Sequence, residues 1–265
     1  MIGLRHQRQR ILEDVGEAGQ QRLAQASVAI VGVGGLGSPV ALYLAAAGVG
    51  RIGLFDDQRV DLSNLNRQVL FTEGDVGQAK VLAAAARLRA IDESIELEPS
   101  ELSVRASNVG EIFARYQLVV DGTDAFETKF LLNDAAVLLR RPLIHGAVLQ
   151  WGGQVLSVLP GGPCLRCLFR DPPEPDSVQS CEEAGIIGAA TGVVGSVQAE
   201  EALKVLLGVG TPLCGRILRH DGLGGETRIM AFPRDPNCPV CSARATITDL
   251  SRYVEQVSPR GHAIA

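Results

Sequence analysis

The chain has 265 residues, 46% of them hydrophobic, six cysteines and a formal net charge of −5. That is apolar material enough for one large core, while the acidic balance excludes a surface built to coat nucleic acid. No basic leader with a cleavage site opens the sequence, and the most apolar stretch, residues 184–197, is too short to span a bilayer, so the expectation is a cytoplasmic, reducing-compartment protein with neither nucleic-acid nor membrane partners.

Residues 1–26 are polar and rich in Gln and Arg, the mark of a helical N-terminal arm. Residues 27–33 are a short apolar run ending in glycines, which predicts a buried parallel strand. An Ala- and Leu-rich helix over 39–47 stops at Gly48, and Arg51–Phe55 is the next strand, closed by Asp56. Strong helix formers fill 78–91. A strand over 118–120, a helix over 126–140 and a strand over 143–147 follow. This alternation predicts an α/β fold over 27–150, a Rossmann-like, doubly wound and mostly parallel sheet. Residues 151–159 and 215–232 read as strands joined by turns, with a helix over 192–207 between them. The segment 151–243 is therefore expected to extend the sheet with antiparallel strands within one continuous domain. A proline-rich run at 171–180 predicts a mobile surface crossover, and the tail 244–265 carries no clear pattern.

Gly32-Val33-Gly34-Gly35-Leu36-Gly37 follows the first strand and opens a helix. Gly32, Gly34, Gly35 and Gly37 in that context permit a tight turn and close approach of backbone amides to a phosphate. Asp56, at the end of the second strand, suits ribose hydroxyls. Downstream, Arg67 and Lys80 would bring two cations to the same crevice. A diphosphate cradled by amides hardly requires both, whereas a triphosphate releasing pyrophosphate does. Each alone would read as a solvated loop charge or a helix-start lysine. Asp121-Gly122-Thr123-Asp124 ends a buried strand at the edge where open α/β sheets bind ligands. Asp121 reads equally as a turn residue, and Asp124 is the better Mg2+ candidate. His145 reads as a satisfied core residue.

Cys164-Leu165-Arg166-Cys167 and Cys238-Pro239-Val240-Cys241 are two C-x-x-C pairs. Together they can supply the tetrahedral four-thiolate shell of a structural Zn2+ site. The gap of roughly seventy residues is longer than in a zinc ribbon, and unrelated thiols or a redox pair is the alternative.

Taken together, the glycine loop, Asp56, Ser63-Asn64-Leu65-x-Arg67-Gln68, Lys80, Asp121-Gly-Thr-Asp124 and the two C-x-x-C pairs resemble the ThiF/MoeB family. Those proteins are bacterial relatives of the ubiquitin-activating enzymes. The resemblance runs from about Leu4 to Cys241. It implies an adenylyltransferase that uses ATP and Mg2+ to activate the terminal carboxylate of a ubiquitin-like sulfur-carrier protein ending in Gly-Gly. The products would be acyl-adenylate and pyrophosphate, serving molybdopterin or thiamin sulfur transfer. It also implies that Gly34 approaches the α-phosphate, that Asp56 holds the ribose, and that Asn64, Arg67 and Lys80 contact the triphosphate. Asp124 would bind Mg2+. Arg8 would reach ATP from the neighbouring subunit of a homodimer, and Cys164, Cys167, Cys238 and Cys241 would be the zinc ligands. Cys181 matches the Cys-x-x-Ala-Gly segment whose cysteine takes part in acyl transfer in some members. No rhodanese-like domain is appended, so a separate sulfur donor is expected.

Three positions depart from the family pattern: Gln58 replaces the second aspartate of Asp-x-Asp, Ala125 a common Asn, and Lys129 a frequent arginine. An NAD-dependent oxidoreductase would explain the glycines and Asp56 but leave Arg67, Lys80 and Asp124 without a role. A non-catalytic carrier-binding scaffold is the third reading.

Overall fold

The computed structural model describes residues 2–174 and 181–253, apart from the side chains of residues 2, 3, 181 and 182. Three helices open the chain, α1 (Ile2–Arg5), α2 (Gln7–Arg10) and α3 (Gly16–Gln25). The nucleotide-type half then alternates: β1 (Ser27–Val31), α4 (Gly37–Ala47), β2 (Arg51–Phe55), α5 (Lys80–Ile91), β3 (Glu96–Ser100), α6 (Val109–Arg115), β4 (Leu118–Asp121), α7 (Phe126–Leu138) and β5 (Leu143–Leu149). Next come β6 (Gly152–Val158), two single-turn helices α8 (Leu165–Leu168) and α9 (Cys181–Ala184), the long α10 (Gly188–Leu207), and the hairpin β7 (Arg216–Asp221) and β8 (Glu226–Ala231).

All eight strands form one sheet in the order β3-β2-β1-β4-β5-β6-β7-β8. The first five are parallel and β6, β7 and β8 are antiparallel, so the predicted α/β sheet with an antiparallel extension is the observed one. Alternate strand residues feed two cores, because successive side chains leave a strand on opposite faces. Val28, Ile30, Ile52 and Leu54 pack with α4, α5 and α10, whereas Ala29, Val31, Val119 and Leu143 pack with α6, α7 and the cysteine-bearing lobe.

Several boundaries differ from the sequence expectation. The first strand ends at Val31 rather than 33, because Gly32 turns at φ +82. The helix expected from 78 begins at Lys80, since Ala79 is held extended by a bridge to Arg59. The helix expected over 126–140 ends at Leu138, and the one expected from 192 begins at Gly188. Strand β3 and helix α6 carry no clear sequence pattern. Instead, Arg51 of β2 holds the Glu98 carboxylate of β3 at 2.6 Å, and the Tyr116 hydroxyl donates to the same carboxylate at 2.6 Å. Part of the proline-rich crossover, residues 175–180, and the end of the tail, residues 254–265, lie outside the described residues. Among those described, no helix is long and apolar enough to cross a membrane.

Candidate active site

Strand order reverses between β1 and β4, which places the crevice of this sheet at their C-terminal ends. The glycine loop leaves β1 there. Its glycines do different work. A Cβ on Gly37 would lie 2.0 Å from the Gly32 carbonyl oxygen, and one on Gly32 would lie 2.8 Å from Gly122. These two glycines let β1, α4 and the β4 turn close on one another. A Cβ on Gly34 would meet only the Gln68 carboxamide, at 3.5 Å, and one on Gly35 would press on Thr191 Cγ2 at 3.1 Å. No backbone atom therefore crowds a Cβ at position 34 as the Gly32 carbonyl crowds one at position 37.

Asp56 braces the loop: Val33 N–H donates to Oδ2 at 2.8 Å and Gln58 N–H to Oδ1 at 2.9 Å. Burial pushes the Asp56 carboxyl up, and the nearby Lys80 ammonium pulls it back. Lys80 opens α5 and is 2% exposed. Burial lowers its pKa, against the opposing charges of Asp56 and Asp124, and Arg67 lowers it further. These couplings gather Asp56, Lys80, Arg67 and Asp124 in one electrostatic neighbourhood. Arg67 is half-buried. Its Nη1 donates to the Ser63 carbonyl at 3.0 Å and to Asn66 Oδ1 at 3.2 Å, and its own carbonyl faces the Thr191 hydroxyl of α10 at 3.4 Å. Asn64 closes a capping box in which its Oδ1 accepts from Asp61 N–H at 3.4 Å. Any contact of Asn64 with phosphate then falls to its amide donors.

The two aspartates of the β4 turn separate cleanly. Asp124 is exposed, and Ala125 at the N-cap of α7 makes no side-chain cap. Asp121 is fully buried and saturated. It accepts from Thr123 N at 3.1 Å and Oγ1 at 2.7 Å, from Lys129 Nζ at 3.1 Å and from His145 Nδ1 at 2.9 Å. Burial would raise the Asp121 carboxyl, but Lys129 and His145 outweigh it and hold it at about 2. His145 is the satisfied core residue expected, and of the two carboxylates only Asp124 is free to meet a cation. The exposed carboxylate at the strand edge fits the oxygen donor set of Mg2+.

Arg8 lies elsewhere. Its neighbour Gln9 donates to the Ala47 carbonyl at 3.0 Å, and Arg5 pairs with Asp92 at 3.4 Å, so the arm sits at the far end of α4 and α5. The eleven residues of α4 separate that point from the phosphate loop by about 16 Å. Arg8 is exposed. Cys181 begins α9, and its side chain lies outside the described residues.

The sulfurs of Cys164, Cys167, Cys238 and Cys241 all lie within 4.8 Å of one another, with Cys164–Cys238 at 3.6 Å and Cys167–Cys241 at 3.4 Å. Tetrahedral Zn–S bonds of about 2.3 Å place sulfurs about 3.8 Å apart, so the four thiols fit a Zn2+ ion. Arg166, between the first two thiols, is 1% exposed and grips Asp134 of α7 at 2.7 and 3.0 Å. Neither Asp134 nor Tyr253, whose hydroxyl donates to Asp134 Oδ2 at 2.6 Å, carries any signal in the sequence.

A glycine loop, two buried or half-buried cations and an exposed strand-end carboxylate define a nucleotide-binding α/β protein with a separate four-thiol lobe. The model of the ThiF family matches residues 6–240, and the chain belongs to that family. It is 50% identical to the sulfur carrier protein adenylyltransferase of Thermus thermophilus over 94% of either chain. It is 44% identical to the SAMP-activating enzyme E1 of Haloferax volcanii, over 95% of this chain and 93% of that one. It is also 46% identical to the adenylyltransferase and sulfurtransferase MOCS3 of Anopheles gambiae, and there it spans 57% of the relative's length. The crystal structure of E. coli MccB shares the fold, with a TM-score of 0.81 and 22% identity over 92% of this chain and 73% of that one.

Proposed function

We propose that the protein adenylates the C-terminal glycine of a small ubiquitin-like sulfur-carrier protein ending in Gly-Gly. The observation that carries this reading is Lys80 and Arg67 set together beside a glycine loop whose Gly34 has only the Gln68 carboxamide within reach of a Cβ. Two cations and a cradle of amides suit a triphosphate whose β- and γ-phosphates depart together. Relatives at 44–50% identity carry adenylyltransferase or E1 activity in their names.

The carrier carboxylate attacks the α-phosphorus in line, forming the new P–O bond as the bond to the bridging oxygen of pyrophosphate breaks. Gly34 holds the α-phosphate, and Asp56, braced by Val33 and Gln58, takes the ribose. Lys80 and Arg67 neutralise pyrophosphate as it leaves. Mg2+ bound with Asp124 would add further charge compensation for the phosphates. The reaction needs no protein nucleophile, so Cys181 belongs to a later acyl transfer. In that transfer the Cys181 thiolate displaces AMP from the adenylate, and a separate donor of sulfide-level sulfur then displaces the thiolate to give a thiocarboxylate for molybdopterin or thiamin synthesis.

A second copy of the chain completes the site with Arg8. An apolar trough of about 820 Å3 is lined by Leu42, Tyr43, Val69, Ile91, Val193 and Val197. Its lining includes Ile91, whose carbonyl accepts from Arg5 of the arm, and Val69, two residues along the chain from Arg67. The arm itself exposes Leu4, Ile11 and Leu12. An arm from a second copy laid along this trough would bring Arg8 to the crevice.

ATP–pyrophosphate exchange with Mg2+ and a panel of Gly-Gly-ending carriers tests the reading. Exchange that depends on one carrier supports adenylation and selects the pathway. Failure to bind ATP in zinc-loaded protein overturns it.

A further inference from the structure

The floor of the crevice is charged where apolar side chains would serve the fold as well. Asp121, Lys129 and His145 are all buried. Replacing such a cluster with well-packed hydrophobic groups is often neutral or stabilising, so stability alone does not account for it. Its bonds point to another role. Both donors on Asp121 Oδ1 come from Thr123, which folds residues 121–124 into a fixed turn. Both donors on Oδ2 come from Lys129 of α7 and His145 of β5. Lys129 also donates to the Gly146 carbonyl at 2.6 Å, and Gln198 of α10 donates to the Asp121 carbonyl at 2.8 Å. The turn is thereby tied to three elements around it. Gly122, against the Gly32 carbonyl, locks it to the phosphate loop. The next residue to emerge is Asp124, close enough for its charge to act on Lys80.

We propose that Lys129 and His145 are positioning residues for the adenylation. They clamp Asp121 so that its other oxygen sets the 121–124 turn and aims the Asp124 carboxylate across the crevice at the metal–triphosphate. The inference rests on the adenylation reading above, and it gives the buried lysine a function: with the carboxylate ionised, His145 donates from Nδ1 and Lys129 supplies the second clamp from Nζ. Asp121 touches no ligand in this scheme. It acts through Thr123 on Asp124.

The test is ATP affinity by isothermal titration on the zinc-loaded full chain, once with Mg2+ and once in buffer free of both Mg2+ and chelator. The wild type should bind ATP more tightly with Mg2+. Lys129→Met should lose roughly tenfold of that Mg2+ enhancement while the affinity without Mg2+ stays within about twofold, and Lys129→Arg should restore most of it. The kcat for pyrophosphate exchange should fall with the enhancement. A merely structural lysine would lower the melting temperature and leave the Mg2+ enhancement intact, and that result overturns the proposal. If Lys129→Met does not fold, His145→Leu and His145→Gln decide: loss of enhancement in the first and retention in the second support positioning, and equal enhancement in both refutes it. A wild type without any Mg2+ enhancement removes the role of Asp124 itself, and with it this inference. That outcome is distinct from variants that simply match the wild type.

Discussion

Lys80 presents its ammonium to a neutral partner: Nζ donates to Gln58 Oε1 at 2.7 Å, and the side chain is 2% exposed. A carboxylate at that position would close an ion pair and spend the positive charge before any nucleotide arrived. An amide holds the lysine in place and leaves its charge for the triphosphate. Gln58, a departure from the family pattern, thus holds the lysine through a neutral hydrogen bond.

This pairing sets a pH dependence. Burial lowers the Lys80 pKa below its usual 10.5, so the cation is lost earlier on the alkaline side than in a free lysine. The protonated form is the one that binds phosphate, hence kcat/KM for ATP should fall as pH rises through that lowered value. Gln58→Glu adds an opposite charge, raises the Lys80 pKa and should move this alkaline limb to higher pH, with weaker ATP binding at neutral pH. A limb that stays where it was in Gln58→Glu would show that another group titrates.

The glycines should separate by function. Gly37→Ala forces a Cβ to within 2.0 Å of a backbone oxygen, so the protein should be strongly destabilised or fail to fold. Gly34→Ala meets only a side-chain amide at 3.5 Å, so its melting temperature should match the wild type while ATP affinity drops by about tenfold or more, as the methyl enters the phosphate cradle. Thermal melts alongside ATP titration check both. Normal ATP binding by folded Gly34→Ala would mean the nucleotide sits elsewhere.

The parallel half of the fold was legible in the sequence because buried strands and Ala-rich helices have strong local signals. The strand runs at 27, 51, 118 and 143 and the helix stop at Gly48, which adopts φ +85, needed no tertiary information. Strand β3 was not legible, since Glu96-Leu97-Glu98-Pro99-Ser100 has weak strand preference and is held by Arg51 and Tyr116 from other elements. In the site, the loop glycines, Asp56, Lys80, Arg67 and Asp124 announced themselves through motif spacing. Their supports did not. Whether Asp121 faces ligand or core depends on Lys129 and His145, which lie on different elements, and Gln198 reaches Asp121 from a helix far along the chain.

The position of Arg8 yields a mixing experiment. Arg8→Ala and Lys80→Ala should each be nearly inactive alone. Co-refolded in equal amounts, half the dimers carry one copy of each, and one of their two sites has both an intact pocket and an Arg8 from the other chain. Exchange activity should return to about a quarter of the wild-type level. No recovery, with mixed dimers demonstrated, would place Arg8 in its own chain's site or outside catalysis.

The buried pair of Arg166 and Asp134 should behave as a unit. Arg166→Met leaves Asp134 uncompensated at 0% exposure and should cost about 3–5 kcal/mol. The paired change Arg166→Met with Asp134→Leu removes both charges and should recover part of that loss. A double-mutant cycle on chemical denaturation measures the coupling. Strict additivity would show that the ion pair contributes nothing beyond its separate side chains.

The thiol lobe makes the strongest prediction about stability. Cys164 and Cys238 are fully buried in the same core cluster as Ile217 and Phe232, so the metal they imply ties the β7–β8 hairpin to the segment after β6. One Zn2+ per chain should be found by elemental analysis of purified protein. Structural zinc supplies on the order of 10 kcal/mol in small zinc modules, so Cys164→Ser should lose the metal and lower the melting temperature more than any substitution above that leaves the chain folded. The phosphate loop lies on another part of the sheet, and binding of ATP should therefore persist below the new melting transition. Zinc at full occupancy in Cys164→Ser, or a chain without zinc that melts like the wild type, would contradict a four-thiolate structural site.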